Sequence, residues 1–196
     1  MQKLTVLIAR LMFPLAALLF SGCAATSRYE IPQPLTTEIV QSLDGNITAH
    51  VPAGWFSATD SVVAPHLLLW FVRDDYAATM GLRQISVESD EEKRIAREGI
   101  LPLAKVSLEL KRLRAGSAFR VIAQPKIFKQ SRQQQDKEYA SYEYSPNGKD
   151  VVRVIVFSAK GKCYEFSALP VSERGRPEDP IRLFSTQQSV FASMRW

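Results

Sequence analysis

The sequence predicts an α+β domain in which an antiparallel β-sheet is covered by helices on both faces. Three observations predict it. Short apolar runs separated by tight-turn signals recur through residues 46–171, and strands joined by short turns must pair antiparallel. Two amphipathic stretches, 89–115 and 179–194, need an apolar surface to cover, and the sheet is the only large one. The run "LLLWFVR" at 67–73 is apolar on both alternating faces, as a strand covered on both sides must be.

Upstream of the domain the chain has three zones. Lys3 and Arg10 supply positive charge, 11–20 is almost wholly apolar, and Ser21 and Gly22 are small. That is the pattern of a secretory signal peptide over residues 1–22. Arg10 interrupts the apolar stretch, so a spanning helix would place a charge in hydrocarbon at a cost of about 2.5–3.5 kcal/mol. "LFSGC", residues 19–23, resembles the bacterial lipobox, with Phe20 bulkier than the usual leucine. The resemblance implies acylation of Cys23, and several acyl chains together anchor stably where one holds only marginally. Ala24 follows in place of aspartate, which by the same resemblance implies export to the periplasmic face of the outer membrane. Residues 23–45, with Pro32 and Pro34 and weak apolar periodicity, are expected to be a lipidated tether spanning on the order of 25–30 Å.

The domain is expected over 46–196. "NITAHV" alternates and ends at Pro52; "AGWFSATDS" is expected to be a loop carrying Trp55 and Phe56. Strands follow at 67–73 and 80–88. Ser89 or Asp90 can cap the next helix, with Glu91 and Glu92 in its first turn. Gly99 and Pro102 predict a break near Gly99. Beyond it, Leu103, Val106, Leu110 and Leu113 form the expected buried stripe and Lys105, Glu109 and Arg112 the opposite face. Four strands come next. Pro125 pushes 120–129 to an edge or a bulge, Asn147-Gly148 marks a hairpin turn, and 151–158 and 162–171 close the set. Asp179-Pro180 opens the last helix as cap and first residue. Its expected buried stripe is Leu183, Phe184, Val190, Phe191 and Met194, with Arg182, Ser185, Ser189 and Ser193 facing away.

"VPAGW", the double-faced "LLLWFVR", the hairpin "VVRVIVFSAKGKCYEFSA" and the closing "SVFASMRW" together resemble the PsbP/Mog/DcrB-like fold over 46–196. Members of that family support photosystem II, bind the GTPase Ran, or are bacterial envelope lipoproteins. The resemblance implies a binding or accessory domain in place of an enzyme, and it supplies no site residues. Trp55 and Trp196 are expected in or at the edge of the core.

Catalytic motifs are not found. His50 and His66 stand sixteen apart without acids at metal-ligand spacing, and no cofactor, metal or phosphate-loop pattern occurs. Asp74-Asp75 belongs to a turn. With Cys23 acylated, Cys163 is the one remaining thiol, expected as a small buried hydrophobe; a hydrolase or thiol enzyme using Cys163 or a histidine is the alternative reading. The 25 basic residues, less Lys3 and Arg10, leave 23 against 20 acidic, a balance too mild for nucleic acid. Basic residues do concentrate at 105–137: Lys105, Lys111, Arg112, Arg114, Arg120, Lys126, Lys129, Arg132 and Lys137, opposed only by Glu109 and Asp136. Such a run ordinarily keeps a surface wet; as a contact face it would meet anionic lipid, cell wall or an acidic partner. The expectation is a membrane-anchored envelope lipoprotein whose domain binds a protein partner. No feature sets an oligomeric state.

Overall fold

The computed structural model describes residues 29, 31–59, 62, 64–132, 135–171 and 179–196, without the side chains of 131, 132 and 135. The expected signal peptide, residues 1–22, and Cys23 lie outside the described residues. So do 172–178 of the loop before the last helix.

Nine strands and three helices are described. The chain begins with β1 (Leu35–Gln41), β2 (Thr48–Pro52), β3 (Trp55–Ala58), β4 (Leu69–Arg73) and β5 (Ala78–Ile85). Helices α1 (Ser89–Glu98) and α2 (Leu101–Arg114) follow, then β6 (Arg120–Arg132), β7 (Gln135–Ser145), β8 (Val152–Ala159), β9 (Lys162–Pro170) and α3 (Pro180–Ser193). Strands β3-β4-β5-β9-β8-β7-β6 form one sheet, antiparallel throughout, and β1-β2 form a separate hairpin. The expected α+β class is what is found.

The turns follow their residues. Gly99 breaks the helical stretch at φ +76°, in the left-handed region open to glycine. Lys160 and Gly161 both have positive φ, the two-residue primed turn whose twist suits a tight hairpin. Pro125 sits in edge strand β6, where the register shifts between Val121 and Lys126. Asp179 caps α3 by accepting from the Ile181 amide at 2.9 Å. In α1, by contrast, Glu88 is the cap residue and no side chain caps the helix, so the Ser89 or Asp90 cap is not made.

Both faces of the sheet are covered, and alternation along the strands divides the core in two. On β8, Ile155 and Phe157 face α3 and the β1-β2 hairpin; Val152, Val154 and Val156 face α2. On β9, Tyr164, Phe166 and Ala168 join the first cluster and Cys163 the second. Trp55 and Trp196 pack at the edge of the first.

Four further sequence expectations are corrected. Residues 55–58 are a strand, β3, at the sheet edge. The second half of the expected tether is folded: β1 pairs with β2, the Ala53 amide donates to the Pro34 carbonyl at 3.0 Å, and Tyr29 is 6% exposed in the core. That strap explains the third correction. Ser185 and Ser189 of α3 are buried, because the strap and the hairpin cover the helix's second side. The Gln33 amide donates to Ser189 Oγ at 2.9 Å and the His50 amide to Ser193 Oγ at 3.1 Å. Fourth, α2 buries Leu103, Ala104, Ser107 and Leu108, while Val106, Leu110 and Leu113 are exposed. The helix is turned by roughly a third of a turn from the expected stripe.

Candidate binding cleft

The turn of α2 has a cause. The register of β5 and β9 sets Arg83 opposite Glu165, on the α2 side of the sheet. Glu165 is 1% exposed, and a buried carboxylate must be paired and fully hydrogen-bonded. Arg83 Nη2 donates to it at 2.7 Å, Lys111 Nζ at 2.7 Å, Ser107 Oγ at 2.8 Å and Ser167 Oγ at 2.9 Å. Ser107 and Lys111 lie one turn apart on α2, so serving Glu165 points that flank inward. Tyr142 OH shares a hydrogen bond with Ser107 Oγ at 2.8 Å.

The electrostatics follow from this cluster. Burial pushes the Glu165 carboxyl up, but the Lys111 and Arg83 charges outweigh it and hold the group below its ordinary range. Burial pushes Lys111 down and Glu165 only partly offsets it. Burial, and then Glu165, push Tyr144 up to about 12 and raise Tyr142 further.

Glu165 forms the floor of an open cleft of about 590 Å³ between the end of β5, α1 and α2. Its lining carries the acidic Glu88, Asp90 and Glu91 and the basic Arg83, Arg94, Lys111 and Arg114. Arg94 ties back to Glu91 at 2.6 Å. Val106 and Leu110 make the apolar rim, and Leu113, 70% exposed, continues it along α2. The Glu165 carboxylate is committed to its four donors, so it shapes and charges the cleft without serving as a free base.

The sequence-predicted residues are scattered over the molecule. Cys163 is 5% exposed, its thiol raised by burial, with Ser158 Oγ at 3.6 Å. His50 Nδ1 meets the Thr36 carbonyl at 2.9 Å within the hairpin, and His66 is exposed in a turn. Asp75 is forked by Arg73 at 2.7 and 2.8 Å. Among the described residues, no group of three His, Cys, Asp or Glu could hold a metal ion, and no helix is long and apolar enough to cross a membrane.

The basic stretch is not one face. Lys105, Arg112 and Arg114 are exposed on α2, with Arg112 held by Glu109. Arg120, Lys126 and Lys129 are exposed on edge strand β6, Lys129 at 3.6 Å from Glu138. Arg132 lies in β6 with its side chain outside the described set. Lys111 turns inward to Glu165. Lys137 is buried on the other side of the sheet, where its Nζ donates to the carbonyls of Phe191, Ala192 and Met194 at 3.1, 3.1 and 2.5 Å.

Sequence reasoning missed the buried charges. Their signal is a charged residue inside a strand that is otherwise apolar: Glu165 in "CYEFSA" and Arg153 in "VVRVIVF".

No protein-family model matches the chain, and no curated protein does. Among solved structures, the chain is similar to the cyanobacterial PsbP, CyanoP, of Synechocystis sp. PCC 6803. The identity is 14% and the TM-score 0.47, over 88% of this chain and 98% of that one. It is also similar to LpqN of Mycobacterium tuberculosis, a protein involved in cell envelope biogenesis. There the identity is 14% and the TM-score 0.46, over 80% and 88% of the two chains. Such a likeness concerns the course of the chain and says nothing of activity.

Proposed function

We propose that the chain is a non-enzymatic binding domain of the bacterial envelope, anchored through acylated Cys23, that presents α2 to a protein partner. The observation that carries the binding role is the uncovered flank of α2. Val106, Leu110 and Leu113 are 40, 46 and 70% exposed. Single exposed apolar residues are ordinary, but three successive ones along a helix beside an open cleft form a docking pattern. Arg114 lines the cleft beside them, and Lys105 and Arg112 lie further round the helix, Arg112 paired with Glu109, so a net basic balance favours a partner segment that is both apolar and acidic. The anchoring role is supported by the signal-like segment and "LFSGC". Burial of Cys163 and saturation of Glu165 argue against bond-breaking chemistry at either group.

A photo-crosslinking residue at Leu113 in the full-length protein, expressed in cells, tests this. The expected result is a discrete adduct with an envelope protein that disappears in Arg112→Glu/Arg114→Glu. Absence of adduct, or adducts that ignore the charge reversal, would overturn the α2 assignment.

A further inference from the structure

We infer that the face built by α3 and the N-terminal strap is held against the anchoring bilayer, and that α2 is thereby turned away from it. The inference rests on the acylation of Cys23 proposed above and adds the orientation that the fold imposes on it.

The strap is fixed close to the anchor. Tyr29 lies six residues beyond Cys23 and is 6% exposed. Its hydroxyl donates to Glu143 at 2.8 Å, its ring meets Phe184 edge-on at 5.3 Å, and the Arg153 guanidinium lies 4.8 Å from the ring centre. Arg153 is itself 1% exposed and donates to Gln187, Gln188 and the Phe184 carbonyl of α3. Four residues on, Gln33 is bonded to Ser189 of the same helix. The strap is thus secured to the α3 layer at two points, by a buried charged group and by the backbone.

Six residues, fully extended, reach about 20 Å at most. From the layer of Tyr29 through the sheet to the outer surface of α2 is on the order of 25 Å, and the chain would have to run around the sheet edge. The acyl chains therefore cannot bring α2 flat onto their own bilayer. They can bring the outer end of α3, where Ile181 is 57% exposed and Arg182 is exposed beside it. Lys105, Arg112 and Arg114 then face away from the anchoring leaflet, which favours a protein partner over its head groups.

The acylated full-length protein, reconstituted in phosphatidylcholine–phosphatidylglycerol vesicles carrying a head-group quencher, tests the orientation. Fluorophores are placed on Arg182→Cys or Leu113→Cys; Cys163, being buried, is left unlabelled under brief native labelling. Quenching is expected to be several-fold stronger at 182 than at 113. A flexible Gly-Ser spacer of about twelve residues, inserted after Ala25, should erase most of that difference. Equal quenching at the two sites in the parent, or stronger quenching at 113, overturns the orientation while leaving anchoring intact. A difference that survives the spacer also overturns it, because the tether would not be its cause. Failure of the protein to float with vesicles overturns the anchoring, and the orientation with it.

Discussion

Glu165 and Lys137 are charges that the fold buries on opposite sides of one sheet, and their energetics differ because their partners differ. Glu165 has two cations and two hydroxyls within 2.9 Å. Removing it in Glu165→Leu strands Lys111 and Arg83 over an apolar side chain, and breaking a buried pair from one side costs about 3–5 kcal/mol. Urea unfolding of the wild type and variant at neutral pH measures this; a loss under about 1 kcal/mol would mean that water already serves the cluster. Because its folded pKa is depressed, Glu165 contributes fully above its unfolded value of about 4.3, and that contribution drains as pH falls. Lys137 donates to three carbonyls and lies over the Trp196 ring at 4.7 Å from its centre, with no carboxylate beside it among the described residues. Its burial, and then nearby Arg195, lower it to about 8, below the unfolded value of about 10.4. In the window between the two, the unfolded chain binds a proton that the folded chain does not, so stability rises with pH there. Wild type should therefore gain on Lys137→Met as pH is raised from 7 towards 10, in paired urea titrations. Above that, Tyr144 and Tyr164, both raised to about 12, act in the opposite sense. A pH-independent gap between the two proteins would place the Lys137 charge in water.

At the scale of elements, the strap over α3 is the largest departure from what the sequence suggested. α3 was legible: cap, first-turn proline and the stripe of Leu183, Phe184, Val190, Phe191 and Met194 all stand as the spacing predicts, each no more than 1% exposed. The strap was not legible, because it buries few apolar side chains of its own and is held by Tyr29 and by backbone groups meeting Ser189 and Ser193. Residues 29–41 show no strand-like alternation to flag such pairing. For α2 the period was right and the phase wrong, since a spacing of apolar residues cannot register a carboxylate on β9 that needs Ser107 and Lys111. The cleft was therefore hidden as well, although its rim residues Val106 and Leu110 were singled out. The strap carries a direct prediction. A mature chain starting at residue 24 with Cys23 removed should unfold at clearly higher urea than one starting at residue 46. The loss on truncation should be at least that of emptying one buried aromatic site, about 3 kcal/mol, and Tyr29→Ala in the longer chain should reproduce most of that loss. Coincident unfolding curves would return residues 29–45 to the role of a loose tether.

At the scale of the molecule, an open seven-stranded sheet has two edges, β3 and β6, and an open edge is a template for pairing with another copy. β3 is four residues long, too short to offer much. β6 is thirteen residues long and is the exposed risk. Its sequence carries three devices that oppose strand addition. Pro125 lacks a ladder donor, the register shifts between Val121 and Lys126 interrupt the edge, and Arg120, Lys126 and Lys129 place charge along it. This gives half of the basic stretch a role unrelated to any partner, whereas the other half, on α2, has no sheet edge to guard. The two halves should then respond differently to neutralisation. Lys126→Thr/Lys129→Thr with Pro125→Val should leave the monomer folded but cause concentration-dependent self-association, seen by sedimentation or light scattering and reversed by restoring the lysines. Arg112→Gln/Arg114→Gln should leave solubility unchanged and weaken only the α2 crosslink. If the β6 variant stays monomeric at high concentration while losing partner adducts, its lysines belong to the binding surface, and the basic stretch acts as one face wrapped around the sheet edge.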